Sequence, residues 1–211
     1  MVANKVRLRF AKRGDLRLVS HHDLMRCLER TLRRAKLPMA LSQGFNPRPK
    51  VVFTLALGLG IEGRREVVDL ELDEPIEPGD VLSRLTAEAP PGLEFLTAEA
   101  IAPGRPAQAE VVHYEIDLPP GRWEPARVAI ASFLASGSWQ YTRHRPDRTV
   151  ESDLRPFVLG AELDPSGVLR FRLKMTSNGS ARPEEVLEAF GLRDLLGQGA
   201  VLARTDVELS P

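Results

Sequence analysis

A single cysteine, Cys27, stands in 211 residues, with two tryptophans and two tyrosines. One thiol makes no internal disulfide. Nor does it hold an iron–sulfur cluster on this chain alone, which normally takes three or four thiolates. No apolar run approaches the roughly 20 residues that a membrane helix needs. The first residues, Met-Val-Ala-Asn-Lys-Val-Arg-Leu-Arg, lack the apolar core of a signal peptide. These features fit a soluble protein of a reducing cytoplasm. The chain also lacks a P-loop, a G-x-S-x-G elbow, an H-E-x-x-H pair and a paired-cysteine zinc signature. Gly58–Gly63 spells G-x-G-x-x-G. Strand-forming residues follow it, so the helix N-terminus that would hold a pyrophosphate is missing. No cofactor is expected.

What the chain has is segregated charge. Its 29 bases and 29 acids cancel overall, yet the first fifty residues carry thirteen Lys/Arg against three acids, a net of +10. The other 161 residues therefore carry −10. A basic surface of this kind attracts and steers polyanions. It points to a partner rather than to a reaction.

The hydrophobic pattern gives the organisation. Val6, Leu8 and Phe10 alternate with Lys5, Arg7 and Arg9, which is a half-buried strand. Ser20 and Asp23 resemble a capping box, and Leu24, Leu28, Thr31, Leu32 and Ala35 follow at helical spacing over residues 21–36. Val51–Leu57 and Val67–Leu72 read as strands, residues 78–89 as a helix and Leu93–Ile101 as a strand. The order is βαββαβ. Ala102–Ala107 reads as a linker. The second half repeats the order: a strand around Val112–Leu118, a helix between Pro125 and Gly137, a strand from Trp139 to Arg145 and an irregular stretch to about Val158. Two strands joined by Asp164–Gly167 follow, then a helix opened by Pro183 and a closing strand over Val201–Leu209. The expected fold class is α+β, two tandem ferredoxin-like domains at 1–101 and 111–211 with 102–110 between them. In that fold Arg7 and Arg9 face Asp69 and Glu71 across strands, and Glu115 and Asp117 face Arg170, Arg172 and Lys174. Alternatively, the two charged faces meet.

The helix and loop bases lack such nearby acids. Arg26, Arg30, Arg33, Arg34 and Lys36 have only Asp23 and Glu29 close by in sequence. They form either a solvated helix face or a phosphate-contacting one. The loop Ser42-Gln43-Gly44-Phe45-Asn46-Pro47-Arg48-Pro49-Lys50 offers amides, a ring and two cations, a mixture suited to single-stranded RNA. Phe45 either anchors this loop in the core or stacks bases. The candidate RNA-binding set is Arg13, Arg17, Arg26, Arg30, Gln43, Phe45, Asn46, Arg48 and Lys50. His21 and His22 open the helix. His113 and His144 are remote in sequence, so no metal site is expected, although one of the pair could act as an acid or base in RNA cleavage.

These stretches resemble a family of unknown function, the radical-SAM-associated proteins. The likeness rests on Val6–Phe10, on Leu18-Val19-Ser20-His21-His22-Asp23-Leu24 with the arginine-rich helix after it, on Ser42–Lys50 and on Val68-Asp69-Leu70-Glu71-Leu72. Members are encoded beside a cobalamin-binding radical SAM protein or fused to it. The resemblance therefore implies a radical SAM partner, since this chain lacks C-x-x-x-C-x-x-C. The βαββαβ order is also similar to the RNA-binding domains of CRISPR RNA-processing proteins, a likeness of fold alone. The expected function is a non-catalytic RNA-binding accessory to a radical SAM enzyme acting on RNA or a ribosome-associated substrate. The alternatives are a metal-independent endoribonuclease using His21 or His22, and a protein–protein adaptor without nucleic acid.

Overall fold

The computed structural model describes residues 3–102, 104, 106–144, 147–177 and 179–210. Pro103 and Arg105 of the expected linker, and Arg145 at the end of an expected strand, lie outside the described residues. The fold is mixed α+β and divides into two compact units, Met1–Ala109 with Leu209–Pro211, and Glu110–Glu208. No described helix is long and apolar enough to cross a membrane.

In the first unit β1 (Ala3–Lys12) leads through a 3-10 turn (Gly14–Leu18) into α1 (His21–Arg34). Then come β2 (Val51–Phe53), β3 (Glu62–Ile76), α2 (Pro78–Glu88) and β4 (Leu93–Ala100). The strand order is β4-β1-β3-β2, with antiparallel neighbours throughout. Alternation turns Val6, Leu8 and Phe10 inward with Val68, Leu70 and Leu72. Leu24, Leu28 and Leu32 of α1 and Val81 and Leu85 of α2 close over them. Each such side chain contributes roughly 1.5–3 kcal/mol on burial. Ser20 caps α1: its Oγ accepts the Asp23 N–H at 3.2 Å and donates to the Asp23 carboxylate at 2.7 Å. The expected strand over Val51–Leu57 shrinks to three residues, because β2 is an edge strand with Val52 exposed.

On the other face Arg7 meets Asp69 across the strands through two bonds, Nε to Oδ1 at 2.8 Å and Nη2 to Oδ2 at 3.1 Å. Lys12 is fully buried. Its ammonium donates to the carbonyls of Val19 at 2.7 Å and Arg17 at 3.3 Å. A base counted as part of the charged surface thus fixes the turn that leads into α1.

The second unit comprises β5 (Ala109–Asp117), α3 (Trp123–Ala135), β6 (Gln140–His144), β7 (Thr149–Asp153), β8 (Val158–Leu163), β9 (Val168–Lys174), α4 (Pro183–Ala189), α5 (Asp194–Gly197) and β10 (Ala203–Leu209). Its main strands run β10-β5-β9-β8, while β6 and β7 form a separate two-stranded ribbon. An aromatic cluster organises the core. Phe190 stands edge-on to Phe133 at 5.3 Å and to Phe171 at 6.4 Å, and Phe171 stacks on Tyr114 at 5.4 Å. Arg143 of β6 clamps the buried Glu185 of α4 through two bonds of 2.6 and 2.7 Å. Arg170 pairs with Glu115 at 3.5 Å, the cross-strand pairing that the alternation implies, and with Asp164 of the β8–β9 turn at 2.7 Å.

Asp164 also organises the β8–β9 turn. The Ser166 hydroxyl, then Arg170 and the Val168 N–H, hold its carboxyl well below the usual carboxylate range. Gly167 completes this turn at φ +89°, and a Cβ there would lie 2.5 Å from the Trp123 ring. That ring is anchored by its Nε1–H to the Leu118 carbonyl at 2.8 Å. Gly167→Ala therefore adds left-handed strain to a steric overlap, an expected loss of about 2–4 kcal/mol. Urea unfolding of the variant measures it; a change below about 0.5 kcal/mol would show that the turn relaxes freely.

Candidate nucleic-acid interface

Residues 40–50 form a finger rooted on β3. Ala40 N–H donates to the Glu71 carbonyl at 2.9 Å, Lys50 N–H to the Ala40 carbonyl at 2.8 Å, and Glu71 N–H to the Lys50 carbonyl at 3.1 Å. Higher up, Leu41 bridges Pro49, and Ser42 N–H donates to the Arg48 carbonyl at 2.8 Å. The Ser42 Oγ accepts the Arg48 N–H at 3.0 Å. These bonds close the stem and leave Gln43, Gly44, Phe45, Asn46 and Pro47 at an exposed tip. Gly44 turns the chain at φ +139°, a region that favours glycine. Phe45 is fully exposed and does not anchor the loop in the core. A whole aromatic ring in water forfeits the burial that such a side chain normally gains. Lys50 at the base is held by Glu71 at 2.7 Å.

On α1, Arg26, Arg30 and Arg33 are exposed at i, i+4 and i+7, one stripe on the face opposite the core leucines. Arg26 has Asp23 at 3.3 Å. Among the described residues the side chains of Arg30, Arg33, Lys36 and Arg48 have no hydrogen-bond or ion-pair partner. Arg34 is used structurally: it reaches the end of α2 at the Glu88 carboxylate (3.3 Å) and carbonyl (2.6 Å).

Arg13 and Arg17 stand elsewhere. Lys12 pairs with Gly63, whereas the finger is rooted at Glu71. The eight steps along β3 from Gly63 to Glu71 span about 26 Å. Arg13 lies 3.7 Å from Glu94, and Arg17 donates to the Gly14 carbonyl at 3.0 Å. The fold thus gathers Gln43, Phe45, Asn46, Arg48 and Lys50 on one finger, and sets Arg26 and Arg30 along one helix face. It puts Arg13 and Arg17 at the far end of the sheet.

His21 is half-buried, edge-on to Phe53 at 5.1 Å, and His22 is exposed with its ring 6.3 Å from that of His21. Among the described residues no group of three or more His, Cys, Asp or Glu is placed to hold a metal ion. Two site-like cations escaped the candidate set. The i+7 spacing from Arg26 marks Arg33, and the position directly after the helix, where glycine is usual, marks Lys36.

Residues 5–183 match the profile of a family described as an uncharacterized protein conserved in bacteria, DUF2344. No curated protein matches the chain.

Proposed function

This chain belongs to the bacterial family DUF2344, and we propose that it is a non-catalytic RNA-binding accessory protein. The observation that carries the reading is the fully exposed Phe45, presented on a hydrogen-bonded stem that also carries Arg48, whose side chain has no partner among the described residues. An aromatic face accepts any base by stacking, and neighbouring cations take up the phosphates. In this reading Phe45 stacks a base, Gln43 and Asn46 contact base edges, and Arg26, Arg30, Arg48 and Lys50 hold the backbone. Arg13 and Arg17 serve a second, distant contact.

Each unit is read as ferredoxin-like, supported by the matching strand orders β4-β1-β3-β2 and β10-β5-β9-β8, with the β6–β7 ribbon as an insertion in the second. The proposed enzyme partner is a cytoplasmic radical SAM protein acting on RNA or a ribosome-associated substrate. That part rests on the resemblance carried by Val6–Phe10, Leu18–Leu24 with the arginine-rich helix after it, Ser42–Lys50 and Val68–Leu72, and the acidic remainder of the chain is the surface offered to it.

The test is titration of a fluorescent single-stranded RNA with the parent and with Phe45→Ala. The variant is expected to bind about 5- to 150-fold more weakly, the range of one lost stacking contact. Parental affinity in the variant would remove the finger from the reading. Discrete cleavage of the RNA in EDTA, lost in His21→Ala or His22→Ala, would replace it with the nuclease.

A further inference from the structure

Lys36 stands at φ +52°, and among the described residues every other positive-φ position is a glycine. It closes α1. Its N–H donates to the Arg33 carbonyl at 3.1 Å, and the Leu37 N–H donates to the Leu32 carbonyl at 3.3 Å. This is the double hydrogen-bond ending whose left-handed residue is normally glycine, because a Cβ crowds the carbonyl oxygen there. Glycine would meet the same geometry without strain. A helix C-terminus does attract a cation. Yet Arg33 and Arg34 already occupy that last turn, and a third positive charge adds repulsion. Nor does the fold use the Lys36 side chain, which is exposed and without a partner among the described residues.

The surroundings indicate what it serves. Arg30, Arg33 and Lys36 follow one another at three-residue steps, none with a described partner. Four residues on, Ala40 is the root of the finger, so Lys36 lies within about 14 Å of it. A strained backbone that presents an unused cation, between a cationic helix face and an exposed aromatic finger, is arranged for a polyanion.

We infer that Lys36 is a phosphate-binding residue, and that a single-stranded RNA backbone passes from the finger over the C-terminal turn of α1 toward Arg33 and Arg30. This rests on the RNA reading above and adds the path of the strand. Because phosphates carry no base identity, this part of the site is indifferent to sequence.

The experiment compares the parent, Lys36→Gly and Lys36→Arg in two measurements, thermal unfolding and titration with a fluorescent single-stranded RNA over a range of salt. Lys36→Gly is expected to melt about 2–4 °C higher as the strain is removed. It is also expected to bind about fivefold more weakly at 0.1 M salt, with a salt slope shallower by about 0.7. Lys36→Arg keeps the charge and is expected to keep the parental slope. A more stable Lys36→Gly that binds with the parental affinity and slope overturns the assignment while leaving the RNA reading intact. A parent that binds no RNA overturns both.

Discussion

Alanine at Arg26, Arg30 and Arg48 together is expected to weaken binding of short single-stranded RNA about 100-fold at 0.1 M salt. The slope of log K against log salt flattens by about 2. A guanidinium that neutralises a phosphate on a single strand releases about 0.7 of a condensed cation, and three such contacts multiply. The fold itself has little stake in these residues. All three are exposed, and among the described residues only Arg26 has an ion-pair partner, Asp23 at 3.3 Å. An exposed pair at that spacing contributes about 0.3–0.5 kcal/mol. Circular dichroism should therefore match the parent while the titrations diverge. A triple variant that keeps the parental affinity at low and high salt would make the basic face a solvated surface and nothing more.

Arg7→Ala is expected to destabilise the protein by about 3–5 kcal/mol, the usual loss when one partner of a buried ion pair is removed. Asp69 is 2% exposed and takes two of its hydrogen bonds from Arg7. That bonding, with the Coulombic pull of the same carboxylate, raises the Arg7 pKa against the cost of burial. Without Arg7 a carboxylate remains in the interior with its main counter-charge gone. Asp69→Ala should be milder, since the Arg7 side chain is 17% exposed and can turn its head to water. Replacing both by apolar residues of matching volume should be milder than Arg7→Ala alone. Urea unfolding of the single and double variants completes the cycle. An Arg7→Ala protein within about 1 kcal/mol of the parent would mean that water or another cation takes over the carboxylate.

Much of the secondary structure is written in side-chain periodicity. Val6, Leu8 and Phe10 declare β1, and Ser20 with Asp23 marks the start of α1, because those signals depend on neighbours a few residues away. The β6–β7 ribbon is less legible. Trp139 to Arg145 reads as a strand and Gln140–His144 forms one, but Thr149–Asp153, within the stretch read as irregular, pairs with it outside the main sheet and has no apolar alternation. Pro125 reads as the start of α3, yet the helix begins at Trp123, since a proline within the first turn displaces no helical hydrogen bond. The candidate site divides in the same way. The finger is contiguous, so its composition alone assembles Gln43, Phe45, Asn46 and Arg48. Arg13 and Arg17 belong to the same basic segment but not to the same place, because β1 carries the chain the length of the sheet before the turn. The charge count also overstates the free surface. Arg7, Lys12, Arg34 and Lys50 are engaged within the fold, and only tertiary contacts reveal this.

The ammonium of Lys12 bears on cooperativity. The turn Gly14–Leu18 has no buried side chain of its own. A segment like that ordinarily opens by local fluctuation, and its amide protons exchange with solvent long before the core does. Here its Arg17 carbonyl, with that of Val19 just beyond, is bound by a charge rooted in β1, so the segment lifts away only by breaking charge-assisted hydrogen bonds in the interior. Its opening is thereby tied to the unfolding of the sheet. The amide protons from Gly14 to Ser20 are expected to exchange together with those of β1 and α1 rather than ahead of them, which hydrogen exchange would measure.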